Sequence, residues 1–431
     1  MGPRVWNALY LLAFITVGPV YWIWRVLFLR RPLAPVTARW RGPEPLPPGQ
    51  RSLWIHGVSV GEILAARSLV AALEKANPAR EIVLSVGTRA GFDVARSRYP
   101  DSRVVFAPFD FTWTLRRFFG ALRPDALVLL ELELWPNWLR LAAEARVPVL
   151  VASAKMSEAS VPRYRRLAAW APGMLEAIAA FGAQNEVYAA RLRDVGIAPE
   201  RVTVTGNLKV DNLPPSPVKA AGEALRDALS LGDSPVFLAG STHPGEEEIV
   251  LRAWKGLRER FPALRLIIAP RHVDRAGEIR ALVEAEGFPV RLRSRVAGED
   301  ASETVLVVDT MGELMNFFAA ADVVFLGGSL VPVGGHNLLE PAAQGRAVLF
   351  GPHVESMEDV AQALIDEKAG WRVAGSVDII QAASDLFSDP GIRAHAASAA
   401  REVVNRRRGA TRKTMELLQG ILPEPQGATH V

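Results

Sequence analysis

The sequence predicts an α/β chain: two doubly wound parallel-sheet (Rossmann-like) domains facing a cleft, preceded by an apolar N-terminal membrane-anchor helix. Three observations carry this expectation. From Ser52 onward, short β-branched runs alternate with longer amphipathic stretches, as in βαβ units whose sheet is covered on both faces. A proline-rich break, Asp211 to Pro217, interrupts the alternation near the middle of the 431 residues, a length that suits two or three domains at roughly 150 residues each. Near the N-terminus, the twenty residues Val5 to Trp24 carry no charge.

That apolar run, VWNALYLLAFITVGPVYWIW, would rise about 30 Å as a helix, roughly the thickness of a hydrocarbon core. A secretory signal would be followed by a small-residue cleavage site, whereas Arg25, Arg30 and Arg31 follow here, so the run reads as an uncleaved anchor. Six arginines and one acid, Glu44, give residues 1–50 a charge of +5. Arginines on that flank place the rest of the chain on the cytoplasmic side and favour an anionic leaflet. Gly18-Pro19 can kink the helix, which leaves spanning and lying in one leaflet both open. The alternative, a buried core helix, gives no reason for Trp22, Trp24 and Trp40 beside an arginine cluster.

Strand candidates in the first half are Leu53 to His56, Ile82 to Val86, Arg103 to Phe106, Ala126 to Leu130, Val147 to Ala152 and Val202 to Thr205. After the break they resume at Val236 to Ala239, Leu266 to Ala269, Thr304 to Val308, Val323 to Leu326 and Ala347 to Phe350. The divisions are therefore an anchor with its basic flank (1–31), a first Rossmann-like domain (32–210), a linker (211–217) and a second domain with the C-terminal helices (218–431). In such sheets ligands sit beyond the carboxyl ends of the strands, so chemistry is sought in the residues that follow each one.

Composition narrows the chemistry. With 49% hydrophobic and 22% charged residues the chain is globular, and the absence of Cys excludes disulfides, Cys-ligated zinc, iron–sulfur clusters and thiol catalysis. A net charge of +4 is too small a surplus to imply nucleic acid. There is no Gly-x-x-x-x-Gly-Lys-Ser/Thr phosphate loop, and no Gly-x-Gly-x-x-Gly after the first strand, which weakens ATPase and dehydrogenase readings. No Asp-x-Asp occurs, and the seven His lack ligand spacing, so no obligatory metal or cofactor is expected. His243, His272 and His336 could meet in space, with structural roles expected for them.

Two readings compete for Glu62, which follows the first strand in Gly57-Val58-Ser59-Val60-Gly61-Glu62. Ser59-x-x-Glu62 matches a capping box, and a carboxylate at a glycine-lined cleft also suits a general base for an attacking hydroxyl. Glu131 and Glu133, two apart, fall on one side of an extended chain; they serve either the helix that Pro136 opens or a substrate. Lys209, in Thr205-Gly206-Asn207-Leu208-Lys209, is either solvated or a cation that neutralises a departing phosphate. Pro270-Arg271 ends another strand, where Arg suits a phosphate or an ordinary ion pair. Gly327-Gly328-Ser329 and Gly334-Gly335-His336-Asn337-Leu338-Leu339-Glu340 form a glycine-rich stretch opening a helix, whose free amides favour a phosphate while Glu340 accepts from ribose hydroxyls. Asp309-Thr310-Met311-Gly312-Glu313 joins strand to helix, offering groups to a base or ribose, or N-capping the helix. Arg163-Tyr164-Arg165-Arg166 and Arg406-Arg407-Arg408 are candidate basic surfaces, the second more simply read as solvated charge.

Assembled, these motifs closely resemble the 3-deoxy-D-manno-octulosonic acid (Kdo) transferases of lipid A biosynthesis, along nearly the whole chain. The markers are HGVSVGE (His56 to Glu62), ELELWPN (Glu131 to Asn137), AQNE (Ala183 to Glu186), TGNLKVD (Thr205 to Asp211), GSTHPGEEE (Gly240 to Glu248), PRH (Pro270 to His272), DTMGEL (Asp309 to Leu314) and GGSLVPVGGHNLLEPAA (Gly327 to Ala343). The resemblance implies a GT-B-type glycosyltransferase, with an acceptor domain followed by a domain binding the donor substrate CMP-Kdo. It implies inverting, metal-independent transfer of Kdo to the tetraacyldisaccharide lipid A precursor, lipid IVA, at the cytoplasmic face of the inner membrane. By motif, Glu62 resembles the catalytic base, and Glu131 and Lys209 the transition-state stabilisers. CMP contacts fall at Pro270 and Arg271, at Met311, Gly312 and Glu313, and at Asn337, Leu338, Leu339 and Glu340. His56-Gly57 departs from the family pattern, where Ser more often follows the His. A GT-B enzyme using a UDP-sugar, and a silent lipid-binding protein with a relic nucleotide fold, are the competing readings.

Overall fold

The computed structural model describes residues 3–16, 36–170, 173–295 and 305–423. The chain divides into two compact units: Met1–Asn212 with Arg408–Val431, and Leu213–Arg407.

Unit 1 is built on a parallel sheet of β1 (Arg51–Gly57), β2 (Arg80–Val86), β3 (Arg103–Phe106), β4 (Pro124–Leu130), β5 (Val149–Ala154), β6 (Ile178–Ala183) and β7 (Val202–Val204), in the order 3-2-1-4-5-6-7. Side chains alternate along each strand, and both faces are buried. Trp54, Leu127, Leu129, Val149 and Val151 pack on one side, and Leu53, Ile55, Val128, Leu130 and Leu150 on the other. Burial of both faces is why the strands read as unbroken apolar runs. The strand order turns between β1 and β4, the switch point at which doubly wound sheets bind ligands.

Unit 2 repeats the plan with β8 (Val236–Thr242), β9 (Arg265–Pro270), β10 (Val290–Leu292), β11 (Val305–Val307), β12 (Val323–Leu326), β13 (Ala347–Phe350) and β14 (Gly370–Arg372), in the order 10-11-9-8-12-13-14. Its core includes Phe237, Trp254, Leu266, Phe325 and Leu349. Its switch point lies between β8 and β12. Three strands are absent from the sequence reading. β6 is rich in Ala and Gly rather than β-branched residues, while β10 and β14 are three-residue edge strands that each carry an arginine.

The domain limits need correction. The last helix, Ala410–Ile421, assigned from sequence to the second domain, places Ala410 and Leu418 in the unit 1 core. Asp211 caps it, accepting hydrogen bonds from the amides of Gly409 (2.8 Å) and Thr411 (2.6 Å). Asn212 donates to Ala65 O at 2.8 Å and accepts from the Ser68 amide at 3.0 Å. The start of the proline-rich segment is therefore built into unit 1.

At the N-terminus a helix covers Pro3–Thr16. One face lies on unit 1: Asn7 Nδ2 donates to Thr112 Oγ1 (2.8 Å), Asn137 Nδ2 donates to Asn7 Oδ1 (3.2 Å), and Tyr10 and Phe14 meet the Phe111 ring. Leu9, Leu12 and Ile15 are exposed. No helix among the described residues is long and apolar enough to cross a membrane. The rest of the apolar run, with Trp22, Trp24, Arg25, Arg30 and Arg31, lies outside the described residues.

Candidate active site

At the carboxyl end of β1, Ser59 N-caps the helix Val60–Ala65 in an extended conformation. The Glu62 amide donates to Ser59 Oγ at 3.3 Å, while Ser59 Oγ and the Val58 amide donate to the two Glu62 carboxylate oxygens, each at 2.7 Å. The capping box is formed, but its backbone partner is the Val58 amide rather than that of Ser59. Each carboxylate oxygen has two lone-pair directions, so each keeps one for a substrate proton. Capping and base chemistry are therefore compatible. A side chain at Gly57 would press on Glu62 and on Leu130, the residue before Glu131, at 3.2 and 3.1 Å. Glycine there lets the helix carrying Glu62 close over the β1–β4 seam.

Beyond β4 the chain is not extended, as the two-residue spacing of the acids implied. Glu131 has φ 58°, a left-handed conformation that costs a side-chain-bearing residue about 1–3 kcal/mol, and the backbone turns at once. Strain of this kind aims a side chain. Glu131 Oε1 lies 3.4 Å from Lys209 Nζ. Lys209 enters from the short helix Leu208–Asp211, whose Leu208 amide donates to Ser153 Oγ at 3.2 Å. Ser153, the residue before the end of β5, has φ 57°. Glu133 accepts from Trp135 Nε1 at 3.1 Å. Burial first, and then the charges of Glu62 and Glu131, push its carboxyl above the usual range. Three carboxylates and one ammonium thus share this strand edge.

Neither acid caps the helix Pro136–Glu144. Asp110 does, accepting from the amides of Asn137 (3.2 Å) and Trp138 (3.0 Å). Burial drives its pKa up to about 7, against the hydrogen bonds from Asn137, Tyr10 and Trp138. His56 is buried, with Nδ1 2.9 Å from Ser85 Oγ, and burial lowers its pKa to about 4, which keeps it neutral. Tyr164, in the first basic cluster, is buried and donates to Leu132 O at 3.2 Å, leaving Arg163, Arg165 and Arg166 on the exposed side of their helix. The second cluster is committed internally: Arg406 to Glu367 (2.6 Å) and Glu402 (3.4 Å), Arg407 to Asp359 (3.9 Å), Arg408 to Val210 O (3.2 Å).

In unit 2 the glycine-rich stretch does not offer free amides to a phosphate at its start. The amides of Gly328 (2.7 Å), Ser329 (3.0 Å) and Leu330 (2.9 Å) all donate to the carboxylate of Glu246, which is 0% exposed and also accepts from His243 N at 2.9 Å. The protein's own anion fills that nest. Sequence reading missed Glu246; the only signal was an acid at the start of a helix, a common and uninformative position. Asn337 holds the next turn, accepting from Leu339 N (3.2 Å) and donating to Glu340 Oε1 (3.1 Å). Leu338 and Leu339 are buried in the core, so their backbone alone can face a ligand.

Arg271 is exposed just past β9, with its amide bonded to Thr242 O at 3.0 Å, and Pro270 is buried beneath it. Met311 is 83% exposed and Gly312 has φ 87°. Glu313 pairs with Arg293 at 2.9 Å and accepts from Thr310 Oγ1; that hydroxyl bond leads Arg293 in holding its carboxyl below the usual range. Asp309 does not cap a helix; it fastens the Arg293–Arg295 turn through the Ser294 amide at 2.8 Å. All three proposed catalytic groups thus belong to unit 1, and all nine proposed nucleotide contacts to unit 2.

A family model described as 3-deoxy-D-manno-octulosonic-acid transferase (kdotransferase) matches residues 34–212. The 3-deoxy-D-manno-octulosonic acid transferase of Bordetella pertussis is 33% identical, over 96% of this chain and 99% of its own. That of Haemophilus influenzae is 31% identical over 87% and 88%. A glycosyltransferase from Rickettsia africae, 12% identical, superposes with a TM-score of 0.61 over 88% of this chain and 100% of that one, a likeness of fold alone. The two parallel-sheet α/β units resemble those of GT-B glycosyltransferases. By its similarity to full-length relatives, the chain belongs to the Kdo transferase family.

Proposed function

We propose that the protein transfers Kdo from CMP-Kdo to a hydroxyl of the lipid A precursor, lipid IVA, with inversion and without a metal, at the cytoplasmic face of the inner membrane. Glu62 takes the proton of the attacking hydroxyl. Lys209, paired with Glu131, offsets negative charge that develops as the phosphate departs. Arg271, Met311 to Glu313 and Asn337 to Glu340, with Pro270, receive the CMP moiety.

The observation that carries this reading is the placement of Glu62. A carboxylate held by two fixed donors at the switch point of a doubly wound sheet keeps acceptor capacity for a substrate proton. Family membership supplies the sugar, and Lys209 and Arg271 suit a donor bearing carboxylate and phosphate charge. Exposed Leu9, Leu12 and Ile15, together with Arg163, Arg165 and Arg166, suit an amphiphilic acceptor with two phosphates.

The test is incubation of the full chain with CMP-Kdo and lipid IVA, followed by mass analysis of the lipid. A product heavier by one or more Kdo residues is expected. Transfer only from a UDP-sugar, or acceptor binding with no release of CMP, would overturn the assignment.

A further inference from the structure

Unit 2 holds a second constellation at its switch point. β8 runs into Ser241-Thr242-His243, where Ser241 has φ 55°, β12 runs into Gly327-Gly328, and β9 into Arg271-His272. There the imidazoles of His243 and His336, 93 residues apart, lie nearly parallel at 13°, with their Nε2 atoms 2.9 Å apart. His272 stands edge-on to His243 at 6.1 Å. Gly328, at φ +66°, forms the floor: a Cβ there would come within 2.9 Å of His336 Cδ2 and 3.4 Å of His243 Cδ2. Glu246 binds the His243 amide and the Gly328 amide at once, so one buried carboxylate fixes both a ring's backbone and the floor beneath the pair.

Two imidazole nitrogens at this distance share one proton: one donates and the other accepts. A proton on each would set two N–H groups against one another. The surroundings disfavour charge on the rings while no anion is bound. Arg271 and His272 lie close enough to act on the rings electrostatically, and both disfavour charge there. Of the acids, Glu246 is committed to four amides and Glu247 to Arg275 at 2.7 Å. Glu355, on the loop packed against Gly334, pairs with His353 at 3.5 Å, and Glu340 accepts from Asn337. Burial, foremost, then His243, Arg271 and His272 bring the His336 pKa down to about 4, and burial foremost lowers that of His243. Both shifts favour the uncharged form of the pair in these surroundings.

We propose that His243 and His336 act as one proton-capturing unit for the donor phosphate: arrival of the nucleotide phosphate makes the shared-proton pair cationic, and the pair then balances the charge of CMP as it leaves. This rests on unit 2 being the CMP-binding unit. An anion beside an imidazole raises its proton affinity, and any group that gains a proton on binding makes affinity fall with rising pH. No bond to the sugar is made or broken by the pair; its part is one proton taken from solvent on binding and returned on release.

The experiment is calorimetric titration of CMP into the full-length protein at about pH 7.5, in buffers of differing ionisation enthalpy. The difference in heat counts the protons taken up. The intact protein is expected to take up between about half and one proton per CMP. His336→Asn and His243→Asn should abolish that uptake while CMP still binds, about tenfold more weakly, and His395→Asn, an exposed position on the helix Pro390–Asn405, should retain it. Binding of CMP by the intact protein with no buffer dependence, or unchanged uptake in His336→Asn, overturns the proposal and leaves the donor assignment standing. Failure of the intact protein to bind CMP instead overturns the reading of unit 2. If a variant does not fold, the intact protein decides alone: CMP affinity falling with pH above about 7, by up to tenfold per unit, supports proton capture, and a flat profile contradicts it.

Discussion

The buried carboxylate of Glu246 accepts a 2.7 Å hydrogen bond from the amide of Gly328, with Ser329 and Leu330 donating to it beside Gly328. A loop whose glycines suggest a phosphate cradle is held by an internal anion, and its function becomes the placement of the residues around it. Glu246→Ala strands these amides, and unfolding by urea should show unit 2 destabilised by on the order of 3 kcal/mol. Glu246→Gln, which can serve only some of the donors, should fall between. Wild-type stability in both variants would separate Glu246 from the loop's integrity.

Lys209 and Glu131, at 3.4 Å, are each partly exposed, so their ion pair contributes at most about 1 kcal/mol to stability. Lys209→Met should leave the melting temperature nearly unchanged and lower turnover by about 10²- to 10³-fold, the scale of a lost electrostatic stabiliser. Equal loss of stability and activity would mark the pair as structural.

Asp110 makes stability depend on pH. Its folded pKa, about 7, lies above the ordinary 3.8, so between those values the folded state binds more protons than the unfolded one. Its contribution is complete below about pH 4 and is lost as pH rises through 7, on the order of 4 kcal/mol at most. Asp110→Asn removes this titration. Urea midpoints between about pH 4 and 8 should fall more steeply with pH in the wild type than in the variant; parallel curves would contradict the assignment.

The exposed apolar face of the Pro3–Thr16 helix should bind lipid. Leu12 and Ile15 are 61% and 62% exposed, and burying such a side chain is worth about 1.5–3 kcal/mol. Leu12→Ser with Ile15→Ser should reduce co-sedimentation with anionic vesicles at least about tenfold. Unchanged binding would place the membrane contact elsewhere.

Sequence made the scaffold readable where physics is local. β-branched runs bounded by glycine and proline located eleven strands, because burial on both faces leaves a continuous apolar signature. β6 escaped because Ala and Gly carry little of that signature, and β10 and β14 because three residues at an edge carry almost none. The Ser59–Glu62 cap was legible since both partners lie within one helical turn. The sequence raised a meeting of His243, His272 and His336 only as a spatial possibility with structural roles expected, and it gave no sign of the Glu246 nest or the Asp110 cap, because each joins loops that only the order of strands brings together. The left-handed turn at Glu131 also left no trace, since glutamate is not a residue that announces a positive φ.

The most direct measurement is turnover of CMP-Kdo and lipid IVA by Glu62→Gln beside the wild type, with CMP affinity measured on the same samples. The amide keeps the size of the side chain and an acceptor for Val58 but cannot take a proton. If Glu62 is the base, turnover falls at least about 10²-fold while CMP binds as before. Near-normal Kdo transfer by the variant would contradict it.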